Sequence, residues 1–100
     1  MPTDSVDFHE EAAAEYDAVF DWYLKQSPNA AIKFDAEMDR ALAHIRQAPR
    51  RWTSGPHSTR RFLLRQFPFV VIYRQLTPAQ IQIVAIAHIS RKPGYWMARI

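Results

Sequence analysis

Apolar and polar positions change their period about halfway along the chain. From residue 12 to residue 45 the apolar residues recur every three or four positions, the helical period. In the first such stretch Ala12, Tyr16, Val19, Phe20 and Tyr23 form the stripe, with Asp17, Asp21 and Lys25 on the solvent side. Asp7 or His9 supplies its N-cap, and Glu10 and Glu11 fall in the first turn, where the helix dipole favours negative charge. Val6-Asp7-Phe8, just before, reads as a short edge strand. Ser27 ends this helix and caps a second one that has Pro28 at its first position. The second stripe is Ala31, Phe34, Met38, Ala41 or Leu42, and Ile45; it stops near Ala48, because Pro49 cannot continue it. The prediction is an antiparallel pair of helices joined by a tight turn.

Residues 49–58 hold two prolines and the first of two glycines, which predicts a loop. Strand patterns follow over 60–67, 69–76 and 80–88, separated by Pro68 and by Thr77-Pro78, and such short breaks predict an antiparallel meander. In the first of these runs Arg61, Leu63, Arg65 and Phe67 share one face, with Arg60, Phe62, Leu64 and Gln66 on the other. Residues 70–72 and 83–87 are apolar on both faces, so at least one strand is central. A polar, basic tail closes the chain. The expected fold is a single α+β domain over residues 1–100, a helical hairpin packed on one face of a small twisted antiparallel sheet.

Composition narrows the class. One hundred residues, 48% of them hydrophobic, suffice for one buried core and exclude a disordered chain. No apolar run approaches the roughly 20 residues of a membrane helix and no secretory leader opens the chain, so a cytoplasmic protein without membrane association is expected. The absence of cysteine excludes a disulfide scaffold, a thiolate metal site and a thiol nucleophile together.

Charge changes the picture more. The net charge of +3 conceals a partition. All ten acids lie before residue 40, and residues 1–48 balance at −6, whereas residues 49–100 carry nine bases and no acid. Such an asymmetry points to a cationic surface facing an acidic or nucleic-acid partner. The plainer reading is that strand arginines merely keep an open sheet soluble. That reading suffices for any one arginine, but the set has no acids to neutralise it and favours binding.

Signatures of catalysis are missing: no P-loop, no GxGxxG, no GxSxG and no HExxH. His9, His44, His57 and His88 are too scattered for a metal site, and neither a metal nor a cofactor is expected. The acids of the helical half have the spacing of solvated faces. His88, at the end of the last strand, suits either proton transfer or a plain hydrogen bond to the backbone. Tyr95 and Trp96 suit either stacking on a ligand or packing the tail onto the sheet.

Two segments then resemble a known family. The run from Arg60 to Tyr73, RRFLLRQFPFVVIY, is similar to a strand pair of the RelE/ParE superfamily of type II toxin–antitoxin toxins. The ending from Ala87 to Trp96, AHISRKPGYW, resembles the close of its ParE-like branch. The resemblance covers nearly the whole chain. It implies a growth-arresting toxin neutralised by a cognate antitoxin, which commonly lays an extended, acid-containing segment along the toxin. The ParE-like branch poisons DNA gyrase without cutting RNA, whereas the RelE-like branch cleaves mRNA on the ribosome.

With the branch tyrosine aligned at Tyr73, the three cationic positions of the RelE-like pattern fall on Arg61, Leu63 and Val70. Two aliphatics where a ribonuclease needs phosphate-stabilising charge favour gyrase poisoning. The residues expected to contact target or antitoxin are Arg60, Arg61, Arg65, Arg74, His88, Arg91, Tyr95 and Trp96. Were the chain a ribonuclease, Arg61, His88, Arg91 and Tyr95 would be its catalytic set. A plain nucleic-acid-binding domain using the same arginines is the remaining alternative.

Overall fold

The computed structural model describes residues 5–100; Asp4, one of the ten acids, lies outside them. The chain forms strand β1 (Ser5–Phe8), helices α1 (Glu10–Gln26) and α2 (Pro28–Gln47), and strands β2 (Thr53–Ser54), β3 (Thr59–Leu63), β4 (Phe69–Thr77) and β5 (Gln80–His88). A single 3-10 turn, Met97–Arg99, ends it. His9, not Asp7, caps α1: its Nδ1 accepts the Glu11 N–H at 3.1 Å. Ser27 caps α2 through its carbonyl alone, which receives the Ala30 and Ala31 N–H groups, while Pro28 presets the first turn.

The sheet order is β1-β5-β4-β3-β2. The meander β3-β4-β5 is antiparallel as expected, but β1 lies parallel to β5, so the sheet is mixed rather than wholly antiparallel. The helical hairpin supplies the crossover that lets β1 run alongside β5. Two further boundaries differ from the sequence pattern. The expected loop 49–58 contains β2, which pairs Thr53 and Ser54 with Arg61 and Arg60. The expected strand 60–67 stops at Leu63, because the buried Glu37 carboxylate takes the Arg65 and Gln66 N–H groups at 2.8 and 3.0 Å.

Both sheet faces are covered, by different means. Under the helices, Phe34 is fully buried with Tyr16, Tyr23, Phe67 and Phe69 around it, ring centroids 5.5 to 6.0 Å away. Cutting such a residue to alanine costs about 3–5 kcal/mol. Tyr73 belongs to this core and donates its hydroxyl to the Pro49 carbonyl at 2.6 Å. On the opposite face Val70, Ile72, Val84 and Ala85 pack under Trp96, so the C-terminal tail acts as a lid over the second half of the sheet. Gly94 makes the tail's bend with φ +78°, where an added Cβ would come within 3.0 Å of Met97.

Candidate functional site

Between that tail and the β2–β3 hairpin runs a groove of about 670 Å³. Its floor is Thr59, Val70, Ile72, Ala87 and Trp96. One wall is residues 53–56 with Arg61 and Leu63; the other is Ile89 and residues 91–97. The strand period explains the sorting. Phe62 and Leu64 turn toward the helices, so Arg61 and Leu63 must face the groove. Arg61, Arg91 and Lys92 are exposed on its walls, and among the described residues no carboxylate side chain lines it. Leu63 and Ile89 are also exposed, giving the groove an apolar strip among its cations.

The tail wall is tied down from α1. Glu15 accepts from the Tyr95 hydroxyl at 2.7 Å, from both Arg99 terminal nitrogens at 2.9 and 2.8 Å, and from the Ile86 N–H at 3.0 Å. Arg99 also donates to the Val84 carbonyl at 3.0 Å. β1 covers the edge of β5 as far as Ile83; beyond it, Glu15 and Arg99 satisfy the edge in place of a strand. Burial pushes the Glu15 carboxyl up, but the bonds from Arg99, Tyr95 and Ile86 outweigh it and hold it below the usual value. Burial first, then the bond to Glu15, pushes the Tyr95 phenol well up. Arg99 is held more firmly protonated by Glu15, against its own desolvation.

These contacts sort the residues named from sequence. Arg61, Arg91 and Trp96 meet in the groove, with Trp96 buried as its floor and the Arg91 guanidinium 4.0 Å from the Tyr95 ring centroid. Tyr95 lines the groove with its ring, over which Arg91 and Arg99 lie, while its hydroxyl is committed to Glu15. His88 stands at the rim: its ring packs edge-on to Phe69 at 5.2 Å, and Nδ1 is held by Ser90. It also borders a smaller apolar depression beside the exposed Trp22. Arg60 points to the other side of β3 and donates to the Trp52 carbonyl. Arg65 is exposed on the turn before β4, outside the groove lining. Arg74 is bonded to Gln82 across the β4–β5 pair at 2.9 Å.

Sequence reasoning missed Glu15 and Glu37, which it placed among solvated acids. Glu15 lies three residues after Ala12 and one before Tyr16, on the border of the α1 stripe, and that position was its one visible signal. The hairpin wall at 53–56 gave no signal beyond its turn composition.

In the groove the Tyr95 hydroxyl is engaged by Glu15, and His88, at the rim, has its ring against Phe69. The groove's exposed guanidinium groups and apolar strip suit an anionic, partly apolar partner. Among the described residues no group of His, Cys, Asp or Glu is placed to hold a metal ion, and no helix is long and apolar enough to cross a membrane.

A mixed sheet carrying two helices on one face and a cationic, tail-walled groove on the other defines a small α+β domain. The family model described as "ParE toxin of type II toxin-antitoxin system, parDE" matches residues 6–93, and the chain belongs to that family. The solved structure described as "Chromosomal ParDE TA system from P. aeruginosa" is similar, with 25% identity and a TM-score of 0.70 over 84% of this chain and 94% of that one. No curated protein matches the chain. The α+β fold and toxin family read from the strand and tail motifs are thereby borne out.

Proposed function

We propose that this ParE-family toxin arrests growth by poisoning DNA gyrase without cleaving nucleic acid. In the same reading, its cognate antitoxin silences it by laying an acid-containing segment along the groove. One observation carries the proposal: the groove gathers Arg61, Arg91 and Lys92 around an apolar strip, while its Tyr95 hydroxyl is committed to Glu15 and His88 is packed against Phe69 at its rim. Leu63 and Val70 stand where a ribonuclease would need charge, and Val70 is buried against Trp96. Carboxylates of a partner segment would pair with the guanidinium forks, and its aliphatic side chains would cover Leu63 and Ile89.

The test pairs two assays of the purified toxin. Gyrase supercoiling should be inhibited and relieved by antitoxin, while mRNA on translating ribosomes stays intact. Cleaved mRNA beside unimpaired supercoiling would overturn the gyrase reading in favour of the ribonuclease branch.

A further inference from the structure

We propose that the C-terminal end of α2 carries a second cationic surface, separate from the groove, that seats the phosphate backbone of duplex DNA. Arg46 stands in the last turn of α2, and Arg50 and Arg51 follow on the turn after it; all three are exposed. Among the described residues the ion pairs engage Arg40 and Arg99, and none engages these three. Trp52 anchors one of the three, Arg51. The Arg51 guanidinium lies 5.2 Å from its ring centroid, and Arg60 donates to its carbonyl at 2.8 Å. Trp52 is itself fixed by Nε1–H donation to the His44 carbonyl at 3.4 Å and by edge contact with Phe62 at 4.6 Å. Arg60 and Arg61 lie on opposite faces of β3, so this surface and the groove look in different directions.

The kind of partner follows from what accompanies the charge. Protein interfaces rest on a desolvated apolar centre, and here, among the described residues, Leu76 on the neighbouring β4–β5 hairpin is the one exposed large aliphatic lining the depression beside Arg50 and Arg51. A partner held almost wholly by charge is a polyelectrolyte. Single strands need free aromatic faces to stack on, but Trp52 is already taken by Arg51 and Phe62. A duplex backbone asks for guanidinium forks and nothing else. The choice of DNA over an RNA duplex rests on the gyrase reading, because gyrase presents its ligands with bound DNA.

Fluorescence anisotropy of a short DNA duplex with the full-length toxin, gyrase absent, tests the surface directly. With three phosphates engaged, affinity should fall about 40-fold between about 50 and 200 mM salt. The triple variant R46A/R50A/R51A should bind at least tenfold more weakly at low salt, roughly, and flatten the salt slope by about 3, while still binding antitoxin as proof of folding. The groove variant R61A/R91A should keep the wild-type slope. An unchanged slope in the α2-end variant overturns the proposal. Gyrase inhibition by a toxin that binds no duplex overturns this surface alone. Duplex binding through Arg46, Arg50 and Arg51 with gyrase untouched supports the surface and defeats the gyrase reading instead.

Discussion

Glu15 on α1 and Arg99 in the C-terminal turn, 84 residues apart, meet fork to fork at 2.8 and 2.9 Å. The pair holds the tail that forms one wall of the groove and closes the strand edge that β1 leaves open. A contact between the first helix and the last turn therefore sets the shape of the groove.

Glu15→Gln keeps the side-chain shape and removes the charge that faces Arg99. The Arg99 side chain is 9% exposed and keeps only the longer pair with Glu11 at 3.6 Å and its bond to the Val84 carbonyl, so losing the charge-assisted bonds should destabilise the fold by about 2 kcal/mol in urea unfolding. Trypsin should also cut faster after Arg91 as the tail loosens; the Lys92–Pro93 bond is not a tryptic site. A loss below about 0.5 kcal/mol would mean that the clamp carries no weight.

Stability should depend on pH at both ends of the scale. The carboxyls of Glu15 and Glu37 lie below their ordinary value of 4.5 in the folded chain; for both, burial raises the value and hydrogen bonds outweigh it. Their contribution is thus complete above 4.5 and lost as pH falls through their folded values. Burial pushes the Tyr73 phenol from 10.0 to about 12, so its contribution is complete below 10 and lost as pH rises through 12. Urea midpoints across pH check this. Glu37→Gln should flatten the acid limb and Tyr73→Phe the alkaline one; an acid limb unchanged in the first variant would contradict the assignment.

Antitoxin binding should separate the arginines by their place. Arg61→Ala and Arg91→Ala each remove a charge-assisted contact and should weaken the complex about tenfold or more, most clearly at low salt. Arg65→Ala lies outside the groove and should bind as wild type. Calorimetric titration measures all three, and a loss at Arg65 equal to that at Arg61 would place the partner elsewhere.

The hairpin wall carries backbone strain at its tip. His57 and Ser58 have φ of 58° and 59°, in the left-handed region where a Cβ is unfavourable. Replacing either with glycine should stabilise the toxin by about 0.5–1 kcal/mol in chemical denaturation, despite the added freedom of the unfolded chain. Destabilisation by both replacements would show that the side chains hold the turn.

Much of this was legible locally. The α1 and α2 stripes at three-to-four spacing, Pro28 and Pro49 at their limits, and the apolar runs of β4 and β5 are consequences of short-range sterics and burial, which sequence order records. The partition of charge is equally a property of the chain, and it located the cationic half before any fold was known. What escaped were long-range contacts. Glu37 ended β3 from another helix, and β1 chose β5 as a parallel partner, because both depend on which segments the packed core brings together. The groove belongs with these. From sequence, Arg60, Arg61, Arg65, Arg74 and Arg91 are five equivalent cations; pleat, turn and the clamp of Glu15 on Arg99 decide that Arg61 and Arg91 share a cleft and the others do not. The sequence alone determined the helices, the strands and the sign of the working half. Only the tertiary structure decided which charges work together, because a side chain's neighbours are set by packing across the core and not by its position along the chain.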